Sequence, residues 1–483
     1  IRGNKVAVYF ALPSTSLVIE LHAAMVRDLL SRGNKVTAYL CDESFRSPME
    51  NPFNRKPITR YGMFRAKDAI RDLNVNLKVI DLRGVSDAAP ERVAKALEFG
   101  TMSSFASLLK AQNTEHLPPS WERAFKNAFS SARKLYNYFI KELRNERFDY
   151  VFTFNGRLGD AKPALEAARD LRIGFGLYEL KIINEVVFVN ELVHSIEGNT
   201  RKALTFYHAD IPAAKRRAEE FFIRKAHSQY TGERLFTKQQ HRGTLPEAVL
   251  DTTKRVIAVY PTNDDEYKFI GKEWDGHVPE DQVEEIEKLV RALPTEQYLL
   301  VVKMHPSQAR TVENIVNQYL DLMRKYPNVV VEKPLSKKDT YALMRRADVV
   351  VTFASTVGVE ASYAGKPVIL IGDTMWGNLN IAHKVYSGEE AAKLIQAGVA
   401  PKPPLGAIVW GNYLYAYKDT LPDLEIGEGG NFAVDGKRVG QSALRRIMQM
   451  PARFEIYVKS PGVTLTALLA RAIGTAMNIV KGL

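Results

Sequence analysis

The chain has 483 residues but a single cysteine, Cys41, so it cannot form a framework of intrachain disulfides. Such cysteine usage is typical of a reducing compartment, and we expect a cytoplasmic protein. No apolar run approaches the ~20 residues that a membrane-spanning helix needs, and no secretory signal is visible. The sequence begins at Ile1 rather than at a methionine, which leaves open whether a segment precedes it.

Motifs of several common enzyme classes are also absent. There is no G-x-x-x-x-G-K-[ST] phosphate loop, no H-E-x-x-H and no cysteine cluster, and Gly174-Phe175-Gly176 lacks the third glycine of a dinucleotide fingerprint. These absences argue against a kinase, a metalloprotease and a dehydrogenase. No zinc-knuckle, RNP-type or helix-turn-helix signature is present either, so we expect no nucleic-acid partner.

Positive charge is in excess, because 67 lysines and arginines outnumber 55 aspartates and glutamates to give a net charge of +12. A basic surplus favours anionic partners such as sugar nucleotides, phosphorylated lipids, acidic glycans or an anionic membrane face. A chain of this length is too long for one ordinary core, so two domains are expected.

Patterns of buried strands and amphipathic helices alternate along the first half of the chain and then begin again. The runs 5–12 and 35–40 flank a helical pattern, which is the start of a parallel β-α-β fold, and a second series starts at 255–260. We therefore predict an α/β fold with two doubly wound, Rossmann-like domains facing a cleft. The predicted bounds are 1–245 for the N-terminal domain, 254–420 for the second domain and 421–483 for a C-terminal extension with a helical segment.

A strand, a turn of small residues, a helix and another strand follow one another across residues 347–371. The turn places Ser355, Thr356 and Gly358 at the start of the helix, with Glu360 one turn further on. The first N–H groups of a helix favour anions, so a phosphate or diphosphate is the expected guest. Glu360 could accept hydrogen bonds from a ribose or sugar hydroxyl. The alternative is an ordinary helix cap by Ser355 and Thr356.

A second strand end of the same character carries the sequence Lys303-Met304-His305-Pro306-Ser307. Lys303 and His305 could neutralise a phosphate leaving group, and Ser307 could donate a hydrogen bond to it. Many His-Pro pairs are plain loop residues, but two strand ends that favour anions in one predicted domain support each other.

Three acidic residues, Asp264, Asp265 and Glu266, follow the first strand of the second half. They could bind a metal, contact a nucleoside, cap the following helix or face solvent. No histidine or further carboxylate accompanies them in sequence, so we expect no metal.

Polar residues also follow two strands of the first half. Asn155, Arg157 and Asp160 come after one strand, while Glu179 and Lys181 close the next. A carboxylate at such a strand end is a candidate general base or nucleophile, Glu179 first and Asp160 second. Arg157 and Lys181 could clamp an acidic group. An internal ion-pair network among the same side chains is the alternative.

Taken in order, these segments resemble the GT-B-type glycosyltransferases of bacterial capsule and surface polysaccharide biosynthesis. The likeness covers residues 149–418, and its most specific part is the block 355–369. The residues that carry it are FNGRLGDAKPALEAAR (154–169), YELK (178–181), VYPTNDDEY (259–267), VVKMHPS (301–307), DTYALMRRA (339–347), VVTFASTVGVEASYAGKPVI (350–369) and WGNYLYAY (410–417). The sequence departs from the family at YELK, where relatives show a His-Glu-Arg-Gly-like string, and at Lys162, where arginine is usual.

The resemblance implies a nucleotide-sugar donor in the C-terminal domain and a glycan or lipid-linked glycan acceptor in the interdomain cleft. Carried over residue by residue, it implies a donor site lined by His305, Ser307, Ser355, Thr356 and Glu360, and a facing side lined by Asn155, Arg157 and Glu179. Some members of the family transfer Kdo from its CMP form, and others are polyol-phosphate polymerases with CDP donors.

We therefore predict a metal-independent glycosyltransferase of the hexosyl or Kdo type, without a cofactor, that acts in capsule or lipopolysaccharide synthesis. A CDP-polyol phosphotransferase, a non-catalytic sugar-nucleotide or glycan-binding scaffold and a sugar-nucleotide 2-epimerase are the alternatives. The amphipathic segment 463–480 is expected to pack on the body or to mediate self-association, with peripheral binding to the inner membrane face as the other interpretation.

Overall fold

The computed structural model describes residues 1–12, 16–109, 119–181, 184–227, 229, 236–263, 268–270, 277–310, 315–421, 424–427, 431–434 and 437–439. These residues form two compact units, each built on its own six-stranded sheet. The first unit contains the described residues of Ile1–Val193 and of Lys418–Leu483, and the second contains those of His194–Tyr417.

The regular elements follow one another in the order of an α/β protein. The helices are α1 (Ser16–Ser31), α2 (Lys56–Ala69), α3 (Glu91–Leu109), α4 (Pro119–Glu146), α5 (Lys162–Leu171), α6 (Ile196–Ala209), α7 (Ile211–Ala226), α8 (Glu247–Leu250), α9 (Gln282–Ala292), α10 (Ile315–Lys325), α11 (Thr340–Arg346), α12 (Val357–Tyr363), α13 (Gly388–Ala397) and α14 (Leu405–Ala416). The strands are β1 (Lys5–Tyr9), β2 (Lys35–Cys41), β3 (Asn76–Ile80), β4 (Tyr150–Phe154), β5 (Gly174–Lys181), β6 (Asn184–Val189), β7 (Arg255–Tyr260), β8 (Tyr298–Lys303), β9 (Val329–Glu332), β10 (Val349–Thr352), β11 (Val368–Ile371), β12 (His383–Val385), β13 (Leu424–Gly427), β14 (Asn431–Val434) and β15 (Lys437–Val439). Short 3-10 helices occupy Phe236–Gln239, Lys268–Ile270, Pro306–Arg310 and Gly377–Leu379.

The sheet of the first unit has the strand order β3-β2-β1-β4-β5-β6. Strands β1 to β5 pair in parallel, and β6 runs antiparallel to β5. Successive residues of a strand point to opposite faces. Val6 and Val8 therefore join one core cluster with α1, while Ala7 and Tyr9 join another with α4 and α5. Because both faces are covered, the central strands are continuous apolar runs.

The sheet of the second unit has the order β12-β11-β10-β7-β8-β9, and all of its pairs are parallel. Ile257 and Val259 face the cluster that contains α9, and Val256 and Ala258 face the one that contains α11. The chain moves outward from β7 on one side through β8 and on the other through β10. This reversal defines a topological switch point at the C-terminal edge of β7 and β10.

Helices α6 and α7 belong to the second unit, so the chain divides after Val193 rather than near residue 245 as the sequence predicted. On α7, the Arg217 Nε donates to the Asn412 Oδ1 of α14 at 2.8 Å. The Phe222 ring stacks on the Tyr363 ring of α12 with 4.0 Å between centroids. Because these contacts join α7 to helices far along the chain, α7 belongs to the second unit.

Beyond Tyr417 the chain returns to the first unit instead of forming a separate extension from residue 421. Val187 N donates to Asp419 Oδ2 at 2.9 Å, and Leu421 is buried in the same core cluster as Val6. The predicted amphipathic segment 463–480 lies outside the described residues. Within the described part of the chain, no helix combines the length and apolarity needed to cross a membrane.

Gly388 offers a test of how tightly α13 packs on α9. A Cβ atom at Gly388 would lie 2.0 Å from the Glu285 carbonyl oxygen and 2.7 Å from Leu289 N. Both are main-chain atoms that cannot yield without shifting α9, so we expect Gly388→Ala to lower the free energy of unfolding by about 1–3 kcal/mol. Urea denaturation measures the change. The control is Gly377→Ala, where the nearest atoms lie 3.7 Å away; equal losses in both variants would contradict this packing.

Candidate functional site

Two polar loops follow strands on either side of β7, at the C-terminal edge of the second sheet. One follows β8 and carries His305 and Ser307, and the other follows β10 and carries Ser355 and Thr356. Neighbouring strands lie ~4.8 Å apart, so the two loops are separated by two such steps, roughly 10 Å. The structure thus brings both motifs to the edge at which sheets of this order bind ligands.

Thr352 fastens the turn after β10 to strand β7. Its Oγ1 donates to the carbonyl oxygen of Tyr260 at 3.1 Å and accepts from the N–H of Ser355 at 3.1 Å. A Cβ atom at Gly358 would lie 2.8 Å from Thr352 Cγ2, so the glycine allows α12 to approach the strand closely. The turn is therefore held against the switch point by its own residues.

The first three N–H groups of α12 already have acceptors in the preceding turn. Val357 N donates to Ser355 Oγ at 3.3 Å, and the N–H groups of Gly358 and Val359 donate to main-chain carbonyls of the turn at 3.1 and 2.9 Å. The sequence predicted free N–H groups for an anion, and those of Val357, Gly358 and Val359 are not free. The turn also presents the half-buried hydroxyls of Ser355 and Thr356. The Ser355 hydroxyl keeps its hydrogen to donate, and the Thr356 side chain caps no N–H group.

Glu360 lies beside Lys225 of α7, with 3.7 Å between the carboxylate Oε1 and the ammonium Nζ. Their side chains are only 6% and 9% exposed, so this is a buried ion pair. The charge of Glu360 is therefore balanced within the unit. The sequence did not point to Lys225, because only the packing of α7 brings it to α12.

Lys303 is buried at the end of β8, and its Nζ donates to the carbonyl oxygen of Lys338 at 2.9 Å. Burial lowers the pKa of Lys303 to about 8, although the nearby carboxylates of Glu332 and Asp339 act to raise it. The ammonium thus holds the segment between β9 and α11. A phosphate that contacts Lys303 would have to share its ammonium group with the carbonyl oxygen of Lys338.

The half-buried ring of His305 is oriented by its own loop, since its Nδ1 accepts from the N–H of Ser307 at 3.2 Å. A neutral imidazole with an accepting Nδ1 carries its hydrogen on Nε2. The hydrogen-bond donor of the neutral ring is therefore its Nε2–H. The described contact of Ser307 is made by its main chain rather than by the hydroxyl that the sequence indicated.

On the first unit, Asn155 joins the ends of β4 and β5. Its backbone is left-handed at φ 59°, a conformation that asparagine tolerates better than most residues. Its Nδ2 donates to Glu179 Oε2, and its Oδ1 accepts from Arg157 N at 3.1 Å. Three of the residues that the sequence selected are therefore in direct contact.

The half-buried carboxyl of Glu179 has the character of a proton-transfer group. Burial raises its pKa, and hydrogen bonds from Asn155 and from Leu180 N, together with the charge of Arg157, oppose that rise. A carboxyl group whose pKa is shifted toward neutrality can take a proton from a hydroxyl group and return it. The direction of this shift is the one that a general base requires.

Arg157 is oriented by helix α3. Its guanidinium donates to the hydroxyls of Ser103 at 2.6 Å and Ser107 at 3.3 Å. A Cβ atom at Gly159 would lie 2.9 Å from the Thr101 Cα, so the glycine lets this loop lie against α3. Lys181 ends β5, and its side chain falls outside the described part.

Asp160 lies outside the group formed by Asn155, Arg157 and Glu179. It is buried and accepts a hydrogen bond from Met49 N at 3.1 Å. Burial raises its pKa to about 7, and the Met49 N–H lowers it only in part. Its side chain is less accessible to a substrate than Glu179. No cluster of three or more metal-binding side chains occurs among the residues that the structure describes, and residues 264–266 are outside them.

Comparison with known proteins relates the second sheet to sugar-nucleotide enzymes. Residues 276–400, about a quarter of the chain, match the family model described as UDP-N-acetylglucosamine 2-epimerase. No curated protein matches the sequence.

Similar solved structures include two of Thermosulfurimonas dismutans KpsC. Its beta Kdo 2,4 transferase is 15% identical, covers 56% of this chain and 81% of its own, and has a TM-score of 0.36. Its beta Kdo 2,7 transferase is 16% identical, with coverages of 66% and 87% and a TM-score of 0.37. The UDP-GlcNAc 2-epimerase of Neisseria meningitidis, bound to UDP-GlcNAc, is 11% identical with coverages of 85% and 96% and a TM-score of 0.29.

At these TM-scores the assignment of the fold rests on the strand order. Two six-stranded sheets of Rossmann-like order lie in one chain, which is the composition of GT-B-type proteins. The predicted α/β fold with two Rossmann-like domains is thereby confirmed, and the likeness to GT-B-type enzymes with it. The family match falls within the second unit and includes both of its polar loops.

The variant Asp160→Asn tests how much the burial of the Asp160 carboxyl lowers the free energy of unfolding. The folded pKa is raised to about 7 from the ordinary 3.8, so between these values the folded state holds a proton that the unfolded chain has released. The stability contributed by Asp160 therefore falls as pH rises through this window. Because asparagine is uncharged, we expect Asp160→Asn to be more stable than the parent protein by about 1–3 kcal/mol near pH 8.

This advantage should disappear near pH 4, where the folded state keeps Asp160 protonated. Denaturant unfolding of both proteins at the two pH values measures the difference. A difference that is the same at both would show that the charge of Asp160 is not the cause.

Proposed function

We propose that the chain is a glycosyltransferase that binds a nucleotide-sugar donor at the C-terminal edge of its second sheet. The observation that carries this proposal is the placement of the Ser355-Thr356 turn and the His305 loop on either side of β7, at the switch point of the sheet. The family match to a sugar-nucleotide enzyme includes both loops.

Each group at this edge suits one part of such a donor. The hydroxyls of Ser355 and Thr356 would donate to phosphate oxygens, and the Nε2–H of His305 would donate to the leaving nucleotide. Hydrogen bonds to charged acceptors are about twice as strong as neutral ones, so few are needed. Glu360 would accept from a ribose or sugar hydroxyl while Lys225 balances its charge.

The acceptor would be a glycan or a lipid-linked glycan bound by the first unit. In the transfer, the bond between the anomeric carbon and the phosphate oxygen breaks, and the nucleotide leaves with the bonding electrons. The acceptor oxygen bonds to the anomeric carbon and gives its proton to a general base, for which Glu179, oriented by Asn155, is the candidate on the first unit. Arg157 would bind an acidic group of the glycan.

The hydroxyls of the turn supply the test of the donor site. We expect the double variant Ser355→Ala/Thr356→Val to weaken nucleotide binding at least ~10-fold, because each lost hydrogen bond to a charged group is worth about 1.5–3 kcal/mol. Calorimetric titration with UDP, GDP, CDP, CMP and dTDP identifies the base and measures the loss.

Ser362→Ala is the matched control. Ser362 is buried in α12, the helix that follows the Ser355-Thr356 turn. Its hydroxyl has no hydrogen-bond partner within the described structure. Removing it should leave nucleotide affinity and melting temperature nearly unchanged. Equal affinity of the double variant and the parent protein would refute the proposed donor site.

The family match to residues 276–400 favours a second candidate, a sugar-nucleotide 2-epimerase. The two reactions differ in what happens without an acceptor. A transferase should leave the sugar nucleotide unchanged until a glycan is supplied, whereas an epimerase should invert C2 and keep the nucleotide attached. Product analysis by NMR of each nucleotide sugar, with and without acceptor, separates them; inversion without acceptor would replace the transferase by the epimerase.

A further inference from the structure

Helix α2 of the first unit presents an aromatic side chain to solvent. Phe64 is 59% exposed, and it is the only exposed phenylalanine among those whose burial the structure describes. A large apolar side chain in water gains free energy when a partner covers it. Single exposed apolar residues are common on protein surfaces, so the surroundings of Phe64 decide whether it marks a binding surface.

The side chains around Phe64 are cationic. Helix α2 packs on the core through one face, on which Ile58, Gly62 and Ala66 recur every fourth residue. On an α-helix, residues three and four positions apart lie on the same face. The exposed residues at such spacings on the other side form what we call the α2 face: Arg60, Phe64, Lys67 and Arg71.

This part of the chain has a strong excess of positive charge. Six lysines and arginines stand between residues 55 and 71 with one acidic residue, Asp68, so the segment carries a net charge of +5. Lys56, at the start of α2, is exposed like Lys67, and neither makes an ion pair within the described part of the chain. Both ammonium groups are therefore open to an anionic partner.

The arginines of the α2 face have carboxylate neighbours that leave them able to bind an anion. Arg60 Nε lies 2.9 Å from Glu43 Oε1, and Arg71 Nη2 lies 2.6 Å from Asp68 Oδ1. Ion pairs as exposed as these contribute little to stability. A guanidinium group has five N–H donors, so each arginine can add a contact to a phosphate without losing its carboxylate.

We propose that the α2 face binds an anionic lipid surface, with Phe64 inserted at the level of the head groups and the surrounding cations paired with lipid phosphates. A helix that combines an aromatic side chain with lysines and arginines is suited to lie in the plane of such an interface. Anionic lipids also attract clusters of basic residues. The inference goes beyond the proposed function and does not depend on it.

Charge favours a lipid surface over two other occupants of the α2 face. A second copy of the same face would bring like charges together, which costs free energy. The segment 463–480 of this chain contains Arg471 and no acidic residue, so it lacks charges that would pair with the lysines of α2. An anionic membrane supplies both the negative charge and the apolar layer that Phe64 requires.

Sedimentation of the full chain with vesicles, without nucleotide, tests the proposal. We expect binding to vesicles of phosphatidylcholine mixed with an equal amount of phosphatidylglycerol, no binding to phosphatidylcholine alone, and weaker binding as salt is added. Lys56→Glu/Lys67→Glu should weaken binding at least about 30-fold, since each cation near an anionic surface contributes about fivefold. Phe64→Ala should weaken it about tenfold.

Two matched controls change the same properties elsewhere on the chain. Lys35→Glu/Lys393→Glu gives the same net charge, because both lysines are exposed and make no ion pair within the described part. Leu335→Ala removes an apolar side chain that is 72% exposed. Both controls should bind the mixed vesicles within about threefold of the parent protein. All of the substituted side chains are exposed, so unchanged melting temperatures are expected throughout.

Insertion of the ring is observed directly in Phe64→Trp. Its fluorescence should exceed that of the parent protein, and the added emission should be quenched by mixed vesicles whose acyl chains carry bromine. Added emission that is not quenched would show that residue 64 stays in water.

Several results would overturn the proposal. One is failure of the parent protein to bind the mixed vesicles, and another is an equal loss of binding in the control lysine pair. Lipid binding that survives both α2 variants would place the lipid contact elsewhere on the chain. A dimer in analytical ultracentrifugation that is lost in Phe64→Ala would make a second copy the occupant. Tighter binding of a heparin oligosaccharide than of the vesicles, lost in the same variants, would make an acidic glycan the partner.

Discussion

Parallel pairing of β7 with β8 on one side and β10 on the other is the constraint on which the candidate donor site depends. Val259 of β7 lies in register with Val302 and with Val351, and all three are fully buried. Parallel strands end on the same edge of a sheet, so the polar loops after β8 and β10 must meet there. The hydrophobic core thereby fixes where the hydroxyls and the imidazole lie.

Most polar groups at this edge are satisfied within the chain before any ligand binds. The N–H groups of Val357, Gly358 and Val359 have acceptors in the turn, Glu360 has Lys225, and Lys303 has the carbonyl of Lys338. A ligand that contacts these groups must exchange one hydrogen bond for another, and such exchange gains only about 0.5–1.5 kcal/mol. The binding energy of such a ligand would therefore come mainly from the hydroxyls of Ser355 and Thr356, which still have a hydrogen to donate.

Strands buried on both faces were the easiest elements to predict from sequence. The strand Arg255–Tyr260 has the predicted bounds, because an apolar run between turn residues is a strong local signal. Two edge strands, β6 and β12, were missed, since an edge strand is short or half-polar and carries a weaker pattern. The domain boundary was displaced because α6 and α7 have charged surfaces, and their partners on α14 are remote in sequence.

The candidate site shows the same limit at the level of single contacts. Asn155, Glu179, Ser355 and His305 could be selected because each lies at or just beyond the end of a strand, which is local information. The pairing of Glu360 with Lys225 could not be predicted from the sequence, since it depends on how α7 packs. Gln308, whose side-chain oxygen accepts from the N–H of His305, had a local signal that was overlooked, its spacing of three residues from His305 with proline between them.

On each unit, a main-chain N–H fixes the orientation of a side-chain amide, and that amide then holds a neighbouring residue. On the second unit, a main-chain N–H binds the Gln308 oxygen, so the amide cannot flip, and the glutamine holds the main chain of His305. On the first unit, the Arg157 N–H binds the Asn155 oxygen, which obliges the amide nitrogen to face Glu179. An ionised or neutral Glu179 can accept that hydrogen bond, so Asn155 keeps the carboxyl in place throughout a proton transfer. Asp160, which is buried and accepts a hydrogen bond from Met49 N, has no side-chain partner of this kind among its described hydrogen bonds, which is why Glu179 is the better candidate for the base.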